Sequence, residues 1–164
     1  MPGHNRGQVK ARYLYLIALA VILLDQVSKF AVIHRLPFGS SIPVLDGVVY
    51  LTTVGNRGGA FGLFQSWAGM LTVITIAVCL AIVVIVRRRI ALPAIVGAAL
   101  ALQLGGAVGN LIDRIRFHYV IDFIDLRVWP VFNVADSAIT IGIVLLAYYL
   151  IFCEGRRTPV KQKG

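Results

Sequence analysis

Two aspartates stand out among the few acidic residues of this 164-residue chain. Only seven residues are acidic: Asp25, Asp46, Asp113, Asp122, Asp125, Asp136 and Glu154. Asp122 and Asp136 each lie among apolar neighbours, in Val-Ile-Asp-Phe-Ile and Asn-Val-Ala-Asp-Ser. Burial among such residues raises the pKa of a carboxyl group, and a second carboxylate nearby raises one of the two further. A pair that shares one proton can activate a water molecule and protonate a carbonyl oxygen, which is aspartic-peptidase chemistry.

Each of these aspartates also has a purely structural interpretation. Asp136 follows Asn133 by three residues, directly before an apolar run, and this spacing is typical of a helix capping box. Asp122 fits equally well as a strand residue that points to water. The residues alone leave these alternatives open beside a catalytic pair. Within such a pair Asp136 is the better base, because the start of a helix favours the ionised carboxylate.

Three further charged residues are expected to form ion pairs. Asp25 and Lys29 lie four residues apart inside the first apolar run, with the acid first, which is the favourable order on a helix. A charge at mid-bilayer costs about 2.5–3.5 kcal/mol on insertion scales, so both should face the bundle interior. A structural ion pair and a direct substrate contact both remain open for them. Asp113 is expected to pair with the neighbouring Arg114 or Arg116.

The other polar candidates predict no additional site. Asp46 precedes Gly47 in a stretch that predicts a turn, and Glu154 lies in a basic tail where we expect it to be solvated. Cys79 and Cys153 lack metal-ligand spacing and are interpreted as small packing residues.

The elements that must position these residues are set by composition. The chain is 59% hydrophobic and only 14% charged, whereas soluble domains are about half apolar and a quarter charged. Four apolar stretches have the length of ~20 residues that crosses a bilayer; they are 13–33, 67–86, 90–108 and 134–152. Asp25 and Lys29 interrupt the first stretch, which favours a retained helix over a cleaved signal peptide.

The basic residues predict the orientation of these helices. The net charge is +9, but the charges flank helices instead of forming one polar face, which argues against nucleic-acid binding. The tails and the turn at 87–89 carry ten Lys and Arg residues, against five in the loops at 34–66 and 109–132. Basic loops stay in the cytoplasm, so both termini are expected there, with the two long loops outside.

Both outer loops contain predicted structure. The β-branched stretches at 48–54 and 119–124 predict strands that pair in a small sheet. Residues 59–64 are interpreted as a short interfacial helix. In the third transmembrane helix Gly105 and Gly109 belong to a stripe of small residues, which predicts close helix packing at the bundle centre.

Five motifs in order carry a resemblance to a known family. They are Asp25-Gln26-Val27-Ser28-Lys29, Asn56-Arg57-Gly58-Gly59-Ala60-Phe61, Gly109-Asn110-Leu111-Ile112-Asp113-Arg114, Val120-Ile121-Asp122-Phe123-Ile124 and Phe132-Asn133-Val134-Ala135-Asp136-Ser137. With them the chain resembles lipoprotein signal peptidase, also called signal peptidase II. The resemblance implies an all-α membrane protein with four transmembrane helices, a small extracytoplasmic β-sheet or β-cradle, and a short interfacial helix.

The resemblance also implies an activity and a set of residues. The family cleaves signal peptides from bacterial prolipoproteins at the plasma membrane, just before a cysteine that carries a diacylglyceryl group, and globomycin inhibits it. Its catalytic aspartates fall on Asp122 and Asp136. Its polar substrate contacts fall on Asn56, Asn110, Arg114 and Asn133. Asp25, Lys29 and Asp113 are assigned supporting roles.

The resemblance implies neither a metal nor an organic cofactor, and it suggests a monomer that meets its prolipoprotein substrate and membrane lipid. The peptidase domain is expected at 13–152, between cytoplasmic basic tails at 1–12 and 153–164. Two other functions compete with this one. A small transporter or channel subunit could use the intramembrane charges as an ion path, and a non-catalytic assembly or chaperone subunit would not need the two aspartates.

Overall fold

Four helices and three strands make up the described part of the chain. The computed structural model describes residues 11–58, 68–88 and 92–153. The elements in order are α1 (Ala11–Arg35), β1 (Ser41–Leu45), β2 (Val49–Asn56), α2 (Ala68–Arg87), α3 (Ala94–Phe117), β3 (Val120–Asp125) and α4 (Val134–Phe152). Within these ranges, four helices are long and apolar enough to cross a membrane. The predicted fold class is thereby confirmed, while the expected interfacial helix at 59–64 lies outside the described residues.

Helix α3 occupies the centre of the bundle and contacts each of the other three helices. Its small residues make this possible, as the sequence predicted. A Cβ added at Gly105 would lie 2.7 Å from the carbonyl oxygen of Ala18, and one at Gly109 would lie 2.7 Å from a carboxylate oxygen of Asp25. A Cβ at Gly106 would collide with the backbone of α4. The glycines therefore let α1 and α4 approach the backbone of α3 directly.

The end of α3 differs from the sequence prediction. The apolar run ends at Val108, but the helix continues to Phe117. It continues because Asn110 and Asp113 are buried and find polar partners inside the bundle. The helix ends at His118, which adopts the left-handed conformation with φ of 64°. Residues 109–117, which were predicted as loop, are thus helical, and α3 carries Asn110 and Asp113 into the bundle interior.

The three strands form one antiparallel sheet with β2 in the middle. The two predicted strands correspond to β2 and β3, which pair as expected. The turn at Asp46-Gly47 joins β1 to β2, with Gly47 at φ of 75°. Strand β1 was not predicted separately, since all five of its residues are exposed and no alternating burial pattern marks it. Pairing of β2 with β3 sets Val54 opposite Asp122.

The bundle interior changes character along its length. At the end away from the sheet, α1, α2 and α3 share an apolar core that includes Leu14, Ile82, Val86 and Leu104. Near the sheet the buried side chains are polar or charged: Asp25, Lys29, Thr53, Asn110, Asp113, Asp122, Asp125 and Asn133. Large apolar side chains cover the outside of the helices, as expected of a protein whose solvent is lipid.

Candidate active site

One cavity brings the two singled-out aspartates together. Asp122 comes from β3 and Asp136 from the first turn of α4, and both line a cavity of about 210 Å³. The other lining residues are Asn56, Asn110, Arg114, Val120, Trp129, Pro130, Val131 and Phe132. The sheet and the ends of α3 and α4 therefore position acids, amides and one guanidinium around a single space.

Asp122 is buried, so the interpretation as a water-facing strand residue is wrong. The residue is 1% exposed. Oδ1 accepts a hydrogen bond from Nδ2 of Asn133 at 2.7 Å, and Oδ2 accepts one from Nδ2 of Asn56 at 2.9 Å. Burial raises the pKa of Asp122 and the charge of Asp136 raises it further, to about 7, although both amide donors and Lys29 act in the opposite direction. Asp122 can therefore hold a proton near neutral pH.

Asp136 caps a helix and lines the cavity at the same time. Asn133 precedes α4, and its side-chain oxygen accepts from the backbone N–H of Asp136 at 2.9 Å. In return Oδ2 of Asp136 accepts from the backbone N–H of Asn133 at 3.3 Å, which completes a capping box. Oδ1 of Asp136 accepts from Nδ2 of Asn110 at 2.8 Å. The capping and cavity interpretations are thus compatible, because the cap holds this carboxylate against the cavity wall.

Asn133 links the two aspartates. It is fully buried, and its Nδ2 lies 2.7 Å from Oδ1 of Asp122, 3.1 Å from Oδ1 of Asn110 and 3.2 Å from the carbonyl oxygen of Ile121. Three of the four predicted substrate contacts line the cavity. The exception is Asn133, whose bonds go to the cap and the aspartates. A substrate contact at Asn133 stays a prediction.

Arg114 lies between the aspartate cavity and a second, smaller cavity. The second cavity measures about 130 Å³ and is lined by Asn56, Arg57, Gly69, Thr72, Arg114, His118 and Tyr119. The guanidinium of Arg114 interacts electrostatically with Asp136, Asp122 and Asp113. Since it comes from the last turn of α3, its position follows from the helix extension that the sequence did not predict.

A buried cluster of charged side chains, Asp25, Lys29 and Asp113, holds together the elements that carry the cavity. Nζ of Lys29 lies 2.8 Å from a carboxylate oxygen of Asp25 and 2.8 Å from one of Asp113. Asp113 is therefore ion-paired, as expected, but with Lys29 of α1 instead of Arg114 or Arg116. Arg114 follows Asp113 directly, and adjacent residues point to different sides of a helix. Arg116 is exposed and lies over the ring of Phe117 at 5.1 Å, whereas Asp113 is buried.

Gln26 completes this cluster and was missed in the sequence. Its Nε2 donates to Oδ1 of Asp113 at 3.0 Å and lies 3.2 Å from both the carbonyl oxygen of Gly109 and Oδ2 of Asp25. The backbone N–H of Ala135 donates to Asp25 at 3.0 Å, and that of Ile121 donates to Asp113 at 3.1 Å. The cluster thus ties α1 and α3 to α4 and β3. The signal for Gln26 was its place between Asp25 and Lys29 in the first motif.

An apolar cavity of about 370 Å³ adjoins the aspartates on the α4 side. Its lining residues are Leu126, Trp129, Phe132, Asp136, Ser137, Thr140 and Ile141. It shares Trp129, Phe132 and Asp136 with the first cavity, so one carboxylate borders both. Within residues 11–58, 68–88 and 92–153, no group of three or more His, Cys, Asp or Glu side chains is arranged to hold a metal ion.

Comparisons with known proteins identify the family of this membrane protein. The family model described as signal peptidase (SPase) II matches residues 17–152. The chain belongs to the signal peptidase II family. It is therefore a peptidase of the aspartic class and a multi-pass membrane protein.

Individual members of the signal peptidase II family cover most of the chain. The lipoprotein signal peptidase of Halothermothrix orenii is 44% identical over 137 residues, which are 84% of this chain and 94% of the relative. That of Geobacillus thermodenitrificans is 41% identical over 150 residues, covering 89% and 94% of the two chains. A bacterial membrane enzyme solved by the in meso method at 2.3 Å superposes with a TM-score of 0.85 at 30% identity, covering 96% of this chain and all of that one.

Proposed function

We propose that this protein removes signal peptides from diacylglyceryl-modified prolipoproteins, cleaving on the N-terminal side of the lipidated cysteine, with Asp122 and Asp136 as its catalytic residues. The observation that carries the proposal is the single cavity lined by both carboxyl groups, in which Asp122 has a pKa of about 7. Family membership and the names of the relatives support the prolipoprotein substrate.

The chemistry divides between the two carboxyl groups. Asp136, ionised, takes a proton from a water molecule while the water oxygen attacks the scissile carbonyl carbon. Asp122, protonated, gives its proton to the carbonyl oxygen, and a tetrahedral diol forms. The diol then collapses, a proton passes to the amide nitrogen, and the carbon–nitrogen bond breaks to leave a new carboxyl and a new amine. Both carboxyl groups hydrogen-bond to amides, so their orientation is set before substrate arrives.

The amides and the guanidinium are proposed to hold the substrate. Asn56, Asn110 and Arg114 line the cavity and present donors to a peptide backbone. Part of that capacity is already used, because Asn56 and Asn110 donate to the aspartates. Arg114 extends into the second cavity and is the strongest candidate for a substrate carbonyl.

The depth of the cavity fits a lipid-anchored substrate. Both aspartates lie at the sheet end of the helices, where a peptide bond at the membrane surface meets water. We propose that this end faces away from the cytoplasm, with both termini inside, since the basic residues favour that orientation. The peptidase domain then spans 13–152 and is flanked by basic tails. A dyad at mid-bilayer would meet little water.

The decisive experiment measures cleavage of a purified diacylglyceryl-modified prolipoprotein by Asp122→Asn, Asp136→Asn and Asp125→Asn. Asp125 is the matched control: it is a buried aspartate on the same strand as Asp122, but it bonds to Thr52 and the backbone of Arg127. We expect the first two variants to lose at least 1,000-fold in kcat, a loss typical of removing a catalytic group. Asp125→Asn should stay within about threefold. Turnover by Asp136→Asn equal to wild type would remove the pair from the mechanism.

A second assay compares lipidated and unlipidated forms of the same substrate. We expect the unlipidated form to be cleaved far more slowly at equal concentration, because the lipid contributes binding energy and positions the scissile bond. Rapid cleavage of the unlipidated form would mean that lipid recognition is not the basis of selectivity.

A further inference from the structure

The three asparagines around the aspartates have carboxamides whose orientation is fixed by their partners. Oδ1 of Asn110 accepts from the ammonium of Lys29 at 3.1 Å. An ammonium only donates, so the oxygen of Asn110 must face Lys29 and its NH₂ must face Asp136. Backbone N–H groups fix the other two amides in the same way, Gly58 for Asn56 at 3.1 Å and Asp136 for Asn133 at 2.9 Å.

The position of the Lys29 ammonium group is fixed by its hydrogen-bond partners. It is 2% exposed, and its three N–H donors meet three acceptors: Asp25 at 2.8 Å, Asp113 at 2.8 Å and Asn110 at 3.1 Å. Every donor is thereby satisfied inside the bundle. The position of the ammonium follows from α1 and α3 together. The ammonium, together with Nδ2 of Asn133 at 3.1 Å, turns the oxygen of Asn110 away from Asp136.

The two aspartates accept hydrogen bonds from amides that are held in different ways. Oδ1 of Asp136 receives the committed NH₂ of Asn110, a donor that favours the ionised carboxylate. Oδ1 of Asp122 instead faces the NH₂ of Asn133, which lies near three acceptors and has only two hydrogens. Asp122 accepts a second bond from Asn56 at 2.9 Å, so both carboxyl groups accept two hydrogen bonds. The difference lies in what orients the donors: a buried ammonium holds the amide of Asn110, whereas the NH₂ of Asn133 is shared among three acceptors.

We propose that Lys29 is a positioning residue for catalysis: it locks the carboxamide of Asn110 with its NH₂ toward Asp136 and so leaves the single proton of the pair on Asp122. This inference rests on the proposed two-aspartate function. Lys29 positions the carboxamide of Asn110, and its charge also acts on the Asp122 carboxyl group directly. Its predicted signature is a change in the pH dependence of cleavage, which a merely structural role would not produce.

Charge effects must be separated from this orienting effect. The charged groups that face the pair are Asp25 and Lys29 from α1, and Asp113 and Arg114 from α3. Lys29 carries a positive charge and Asp25 a negative one, so the effects of these two charges on the pair oppose each other. Replacing both at once, as Lys29→Met with Asp25→Asn, preserves the net charge of the cluster. Asp25→Asn alone is its matched control.

The test is the pH profile of kcat/KM for prolipoprotein cleavage in the purified full-length enzyme. We expect the acidic limb, which reports the carboxyl group that must be ionised, to move to higher pH by about one unit in Lys29→Met/Asp25→Asn, the effect of losing one hydrogen bond to a carboxylate. Asn110→Ala leaves all the charges in place and should produce the same shift. Asp25→Asn alone should not, because Lys29 still orients Asn110.

An acidic limb at the wild-type position in Asn110→Ala would overturn the inference, and this variant provides the decision if the double variant does not fold. A folded double variant that cleaves more slowly but keeps its acidic limb at the wild-type pH would overturn the inference as well. Failure of the underlying function would look different: Asp122→Asn would retain cleavage. Loss of cleavage in Asp122→Asn together with unmoved limbs would reject only the role of Lys29.

Discussion

At the scale of single residues, the site depends on carboxyl groups held by amides. Asp122 and Asp136 together accept four hydrogen bonds, three from asparagine side chains and one from a backbone N–H. Sequence analysis singled out both aspartates because acidic residues are rare in this chain, and the resemblance to signal peptidase II supplied the three asparagines. It did not assign their partners, since a bond between β3 and α4 depends on folding and not on spacing. It left open whether Asp122 was buried, which the structure decides.

The proposed role of Asp122 as the acid predicts how cleavage depends on pH. The pKa of Asp122 is about 7, so the protonated form, which donates to the substrate carbonyl in the proposed mechanism, disappears as the pH rises through that value. We expect kcat/KM to fall about tenfold per pH unit above the alkaline limb. The measurement is initial rate against pH in detergent micelles at low substrate concentration. A flat profile up to pH 9 would contradict the assignment of Asp122 as the acid.

Substitutions at Asn133 can separate its role as the N-cap of α4 from its hydrogen bond to Asp122. Serine is also a good N-cap but is too short to reach Asp122, so Asn133→Ser should retain the helix start and lose the bridge. We expect Asn133→Ala to unfold more easily than Asn133→Ser by about 1 kcal/mol, the usual worth of a cap. Both variants should lose at least about tenfold in kcat/KM, because Asp122 loses its donor. Thermal unfolding and cleavage assays on the same preparations test this, and a fully active Asn133→Ser would refute it.

At the scale of elements, α3 organises the molecule. Among the described elements, it contacts the other three helices and ends beside the sheet. Its apolar stretch and small-residue stripe could be predicted from sequence. Its last nine residues could not, because the hydrophobic signal stops where polar residues begin to face a polar interior. The short strand β1 was equally difficult to predict, as an exposed edge strand has no burial pattern for periodicity to detect.

Close packing of α3 predicts a position-specific response to added bulk. Gly105→Leu would push a side chain into the backbone of α1, and overpacking of this kind costs about 1–3 kcal/mol or more. Gly69→Leu is the matched control on α2, because a Cβ there meets nothing within 4 Å. We expect Gly105→Leu to lower the unfolding temperature in detergent clearly more than Gly69→Leu. Equal unfolding temperatures would show that α1 and α3 are not in tight contact.

At the scale of the whole molecule, the proposed function requires one orientation in the membrane. The sheet and the aspartate cavity lie at one end of the bundle, and the apolar core lies toward the other. An enzyme that meets exported prolipoproteins needs the sheet end outside. The distribution of Lys and Arg predicts the same orientation independently of any site.

Cysteine labelling tests this orientation. In a background without Cys79 and Cys153, Val128→Cys should react with a membrane-impermeant maleimide added to intact cells, since residue 128 is 90% exposed beside the sheet. Arg88→Cys, in the turn after α2, should react only after the membrane is opened. The reverse pattern would place the aspartates in the cytoplasm and exclude the proposed substrate encounter.

The Asp25–Lys29 pair also matters while the chain is being made. Helix α1 is synthesised before α3, so the ammonium of Lys29 enters the bilayer when Asp113 does not yet exist. Asp25, one helical turn earlier on the same segment, is its only available counter-charge at that stage. Internal neutralisation lets a segment with two charges integrate as a single span, and the later arrival of α3 converts that pair into the support of the aspartate cavity.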